Sequence, residues 1–254
     1  MPPTSTTPAP TPAPPPSSYP PSGPSGIPIA PAVPLPKSVT SRVQQPLTPT
    51  ERQILKNELN WTDEIIDRDP QEAKLAALVN MEIKAGNAKP LSDVLNELGS
   101  SPQQQFSAAG TRISELEGAI HKIGDDMEVR PSLKMQKYLA DNELQKMIQA
   151  REIAVAKAAG LPEQPPQNHV RLYRGLKGQY AYNEKQPVTF WSSLETALSF
   201  AEGGDVIAVD VPENAPGASL SAGSGLGQNY AGTKVTDQAL VKNAKVIIRN
   251  NRLA

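Results

Sequence analysis

The residues best suited to chemistry in this chain are Arg174 and the pair Ser192-Ser193, each set among aromatic or apolar neighbours. Arg174 belongs to Arg171-Leu172-Tyr173-Arg174-Gly175, a strand-like run. An arginine inside such a run is costly to bury unless it meets an anion, and a glycine after it lets a ligand approach the main chain. A carboxylate partner at a strand end explains the same arginine without a ligand. Further along, Val188-Thr189-Phe190-Trp191-Ser192-Ser193 ends a second strand-like run in flat rings and two hydroxyls, a composition suited to a pocket for an aromatic-ring ligand. Ser193 is equally a natural N-cap for the helix that follows, with Thr196 at its third position.

Other chemistries are short of side chains. There is no cysteine, hence no thiol nucleophile, disulfide framework or sulfur-ligated zinc site. The two histidines, His121 and His169, are too few for a typical histidine metal cluster or an easy Ser/His/Asp triad. His169, beside the first strand, reads as an exposed or capping residue. The formal net charge of -1 and the lack of a Lys/Arg block give no reason to expect a nucleic-acid partner. No apolar run approaches the roughly 20 residues of a membrane span, and the N-terminus lacks the basic start and apolar stretch of a cleaved signal peptide.

The elements that must position these residues are legible from period and punctuation. More than half of the 27 prolines precede Lys37, the first charged residue, and no acid appears before Glu51. Residues 1–47 are therefore expected to be a disordered leader with polyproline II character. The uncharged Ser/Pro/Thr composition before Lys37 resembles the unstructured secretion signals of bacterial effectors injected into host cells.

Residues 48–162 are expected to be helical. Thr48-Pro49-Thr50-Glu51 and Asp69-Pro70-Gln71-Glu72 carry helix-start signals, the second helix stopping at Gly86. From Gln103, Phe106, Ala109, Ile113, Leu116, Ile120 and Ile123 form one stripe ending near Gly124. A further helix spans Ser132 to Ala159, with a break at Asp141-Asn142.

After Pro166 the period becomes two-fold. Val170, Leu172 and Arg174 share one face, and Arg171, Tyr173 and Gly175 the other. Val188–Ser192, Val206–Val211, Gln238–Val241 and Lys245–Ile248 read as strands, with a helix from Leu194 to Ala201. The fold class is α+β, with residues 163–254 as the sheet-bearing domain.

Tyr173-Arg174-Gly175, Phe190-Trp191-Ser192-Ser193 and the strand end Asp210-Val211-Pro212 together resemble the ADP-ribosyltransferase superfamily, over roughly residues 169 to 250. In that family a strand arginine appears as Tyr-Arg-Gly, a second element reads Phe-x-Ser-[Thr/Ser], and the next strand ends in an Asp-Val-Pro-like turn. The resemblance implies a split β-sheet core and NAD as substrate. Arg174 would contact the NAD phosphates or ribose, Gly175 would offer main-chain hydrogen bonds to the nicotinamide amide, and Ser192 with Ser193 would line the ribose pocket. Tyr173 belongs to the same binding motif. Phe190 and Trp191, with Tyr180 or Tyr182, would wall the nicotinamide, while Glu195 and Glu202 would be surface residues.

The family places a Glu-x-Glu pair before the penultimate strand to stabilise positive charge developing at the ribose. Here Thr236 and Gln238 occupy those positions. Either Asp237, Glu184 or Asp210 supplies the carboxylate, with Gln238 orienting a substrate group, or the fold binds without turnover. Asp237 would have to lie in a loop, because a one-residue shift along a strand reverses the face. The glycine-rich run 221–232 lacks the lysine of a P-loop and reads as the family's substrate-facing loop, with Tyr230 available for acceptor recognition, or as a plain flexible loop.

The resemblance thus implies a secreted NAD-dependent mono-ADP-ribosyltransferase, a toxin or virulence effector modifying a host protein, ubiquitin among the candidate acceptors. The alternatives are a non-catalytic interaction module of the same fold, and an NAD glycohydrolase.

Overall fold

The computed structural model describes residues 35–124, 131–177, 188–213, 219–222, 231–235 and 242–254. All of them belong to one compact unit, residues 32–254.

The helical part begins earlier than its strongest signal. Residues Lys37–Thr40, within the stretch read as leader, form the short helix α1, whose Val39 is buried against Leu75, Leu78, Val79 and Leu139. α2 (Pro49–Leu59) starts as expected: Thr48 Oγ1 accepts from the Glu51 amide, and the Glu51 carboxylate accepts from the Thr48 amide at 2.8 Å. α3 spans Asp63–Arg68 and α4 spans Pro70–Ala88, the latter capped by Asp69.

α4 continues past Gly86, where it was expected to stop. The Gly86 carbonyl accepts from the Lys146 ammonium, so the helix end is bridged to a neighbour. α5 covers Leu91–Leu98. α6, Pro102–Ile123, has a Ser101–Gln104 capping box and ends at Gly124, φ 73°.

α7, Pro131–Ala158, is unbroken across Asp141-Asn142, contrary to the expected interruption. The propensity cost of those two residues is at most about 1.5 kcal/mol. The buried Leu139, Ala140, Met147 and Ala150 on either side hold the helix through packing that outweighs it.

The sheet has seven strands in the order β4-β5-β2-β1-β3-β6-β7, with every neighbouring pair antiparallel. They are β1 (His169–Leu176), β2 (Val188–Trp191), β3 (Asp205–Pro212), β4 (Ser219–Ala222), β5 (Ala231–Val235), β6 (Lys245–Arg249) and β7 (Arg252–Leu253). α8, Leu194–Ala201, follows β2. This is an α+β architecture.

β3 and β6 match the expected strands. The strand expected at Gln238–Val241 lies outside the described residues. The glycine-rich run contributes its ends to β4 and β5, with Ser221 opposite Gly232 and Ala222 opposite Ala231. Asn250 and Asn251, both at positive φ, make the tight turn from β6 to β7.

The two-fold alternation read in β1 is realised. Leu172 joins Phe190, Ile207, Val209 and Val211 on one face. On the other, Tyr173, Ala208 and Val206 pack with Leu194 and Ala197 of α8, and with Phe106, Ala154 and Val155 of α6 and α7. Helical and sheet parts thus share one hydrophobic cluster.

Candidate functional site

β1 is fixed along its whole length by β3. Arg171 lies directly opposite Asp210, and its Nε and NH2 donate to the two carboxylate oxygens at 2.7 and 2.8 Å, while NH1 donates to the Pro162 carbonyl at 2.9 Å. This planar fork is the geometry in which arginine binds carboxylate best. Burial disfavours the Arg171 charge, but Asp210 outweighs it and the guanidinium pKa rises. Asp210, weighed as a source of the missing catalytic carboxylate, is thereby committed to a cross-strand clamp.

Gly175 has a packing role. A Cβ there would lie 2.1 Å from the Ala197 carbonyl oxygen and 2.5 Å from the Ala201 nitrogen, so α8 occupies the space that the sequence reading reserved for a ligand. Ser193 caps α8, its Oγ accepting from the Thr196 amide at 3.3 Å.

The residues expected to form one site divide between two clefts at opposite ends of α8. One, of about 350 Å³, is lined by Arg174 and Gly175 of β1, Trp191 of β2, Lys177, and Phe200 and Glu202 from the end of α8. Its aromatic wall is a parallel stack of Trp191 on Phe200, centroids 5.0 Å apart and 4° between planes. Phe200 is 53% exposed, so the stack is open to a planar ligand. Lys177 and Glu202 form an exposed ion pair at 2.5 Å across the mouth. Phe190 is fully buried on the opposite face of the sheet and belongs to the core there. Phe200, not singled out from the sequence, is the second ring beside Trp191.

The other cleft, of about 410 Å³, lies between α7, the 161–168 connection and β1. It is lined by Gln149, Glu152, His169, Arg171, Tyr173 and Ser192, among others. Burial pushes the Glu152 carboxyl up to about 7, helped by repulsion from Glu195 and opposed by the Leu194 amide and the Arg171 guanidinium. Burial, then Glu152, raises the Tyr173 phenol as well, which keeps it a neutral donor. Glu195, expected at the surface, is instead part-buried. Its pKa is raised by burial against the pull of Arg151, which pairs with it at 2.5 Å and lies over the Phe106 ring. Glu202 is exposed, as expected.

Asp237, Gln238 and Thr236 lie outside the described residues, as do Tyr180, Tyr182, Glu184 and Tyr230. The strand leading toward them is described. β5 ends at Val235, opposite Val188, whereas Ser192 follows Trp191, which lies opposite Gly232 at the start of β5. Two carboxylates share a cleft with Ser192: Glu163, exposed and paired with Lys157 at 3.2 Å, and the more shielded Glu152, a residue with no motif to announce it.

Among the described residues no group of three or more His, Asp or Glu side chains is arranged to hold a metal ion. No described helix is long and apolar enough to cross a membrane. Compared with known proteins, the chain matches no family model, no curated protein and no solved structure.

Proposed function

We propose that the chain binds NAD and acts as a secreted mono-ADP-ribosyltransferase on a host protein, its sheet being that superfamily's split-sheet core. One observation carries this reading. The cleft at the end of β1 offers the open Trp191–Phe200 stack as a wall suited to nicotinamide or adenine, with Arg174 bordering it on β1, opposite Ile207. Ser192 directly follows Trp191 in sequence and lines the neighbouring cleft.

A second reading, a binding module without turnover, is favoured by two specific facts. Gly175 and Ser193, both assigned to the ligand by the resemblance, have complete structural explanations in the seating and capping of α8. Neutral Gln238 also stands at the family's glutamate position.

Incubation with adenylate-labelled NAD and host lysate separates these readings. Label transferred to protein, and lost on Arg174→Ala, supports the transferase. Nicotinamide release without labelled protein identifies a glycohydrolase. NAD binding without either product leaves the module, and absence of NAD binding rejects the NAD assignment.

A further inference from the structure

Glu152 is a poor choice for a purely structural acid. It faces the Leu194 amide at the start of α8, a favourable place for negative charge. Yet Ser193 already caps that helix, and Glu195 in its first turn repels a second carboxylate. A glutamine would satisfy the Leu194 amide without that repulsion. The groups around Glu152 are Glu195 of α8, tied to Arg151; Arg171 and Tyr173 of β1, the former tied to Asp210; and, lining the same cleft, His169 of β1 and Glu163, tied to Lys157. Both nearby arginines are therefore already matched, and the Glu152 carboxyl opens onto a solvent-accessible cleft beside Ser192 and the Tyr173 phenol. A proton acceptor beside two hydroxyls suits activation of a third hydroxyl entering from outside.

We propose that the cleft between α7 and β1 is the acceptor site, taking a side-chain hydroxyl or water, with Glu152 as the general base that removes its proton. The proposal rests on the NAD reading above, because the electrophile is the nicotinamide-ribose carbon. The bond from that carbon to the nicotinamide nitrogen breaks, its electron pair leaving with nicotinamide. A bond from the same carbon to the acceptor oxygen forms, and the acceptor proton passes to the Glu152 carboxylate and on to solvent. α8, eight residues or about 12 Å long, separates the aromatic cleft at its end from the acceptor cleft at its start. NAD anchored by its adenine on the Trp191–Phe200 stack spans this length and sets its nicotinamide ribose beside Glu152.

Water serves as the acceptor probe: nicotinamide release from NAD is followed from pH 5.5 to 8.5 with the full chain, and NAD binding by Trp fluorescence. The wild-type rate rises with pH through a midpoint near 7, since the ionised carboxylate is the active form. Glu152→Gln binds NAD within threefold of wild type but releases nicotinamide at least about 100-fold more slowly, with a flat pH profile. Glu195→Gln, which removes the repelling carboxylate and leaves the Arg151 charge unmatched, moves the midpoint to lower pH. Glu152→Asp restores part of the rate with a displaced midpoint. Turnover by Glu152→Gln within threefold of wild type, or a midpoint that stays put in both Glu152→Asp and Glu195→Gln, overturns the general-base role alone. A wild-type chain that binds NAD but releases no nicotinamide also rejects it. A wild-type chain that does not bind NAD rejects the NAD reading, and this proposal with it.

Discussion

The backbone of Gly175 lies so close to that of Ala197 that a methyl group on the glycine would sit 2.1 Å from the Ala197 carbonyl oxygen. Neither partner is the tip of a flexible side chain, so the helix cannot yield locally. Gly175→Ala should lower stability by about 3 kcal/mol and loosen α8 from β1, seen as a large drop in Tm. A variant that keeps the wild-type Tm but loses NAD affinity would show that the glycine is there for the ligand instead.

The Arg171–Asp210 clamp gives a second outcome. Both side chains are largely buried and make a two-point contact. Removing one charge strands the other, at a cost of about 3 kcal/mol. Asp210→Asn should therefore fail in thermal denaturation at lower temperature, with any loss of activity following the loss of fold. Undiminished stability with abolished turnover would return Asp210 to the list of reacting groups.

Glu152 and Glu51 should respond to pH in opposite senses. The Glu152 pKa is raised in the folded chain, to about 7 from an ordinary value near 4.5. The folded state thus holds a proton that the unfolded state gives up. The associated stability is present below pH 4.5 and lost as pH rises through 7, amounting to at most about 3 kcal/mol. Glu152→Gln should accordingly raise Tm at pH 8 and leave it nearly unchanged at pH 4, a gain in stability set against the loss of rate described above.

Glu51 is the converse case. Its burial would raise the pKa, but hydrogen bonds from Lys74 and Thr48 outweigh this and lower it. The stabilisation is present above pH 4.5 and is lost as pH falls through the folded value. The Lys74 ammonium, also bonded to the Pro46 carbonyl, then loses its buried counter-charge. Acid melting followed by Tm between pH 3 and 6 should show a steep descent in wild type. In Glu51→Gln, destabilised at the upper end of this range, the slope should be shallower.

Glu202 ends α8 in the left-handed region, φ 47°, where a side chain is strained. Its ion pair with Lys177 is exposed and contributes little. Glu202→Gly should therefore stabilise by about 0.5–1 kcal/mol, a rise of a few degrees in Tm. A fall would mean that the Lys177 contact outweighs the backbone strain.

What the sequence disclosed was local. Thr48/Glu51 and Ser193/Thr196 bracket helix starts within one turn, so the starts of α2 and α8 could be read directly. The alternation of Leu172 and Tyr173 likewise assigned the two faces of β1. α1 and α5 escaped notice because each follows a proline with no side-chain cap.

The site was less legible because its decisive relationships join distant segments. Gly175 is explained only once α8 folds back on β1. Phe200 matters only once its ring lies on Trp191. Glu152 sits on a helix whose buried stripe gives no hint that one acid opens into a cleft beside Ser192.

The cluster that unites Phe106, Ala154 and Val155 with Tyr173, Leu194 and Ile247 has a consequence for engineering. A cut near residue 162 would pass through a continuous oily seam and leave each half with an unmatched greasy flank. Expressed alone, residues 163–254 would tend to precipitate or recruit a chaperone. The pieces should regain function only when supplied together, as split-protein fragments do when they complement one another.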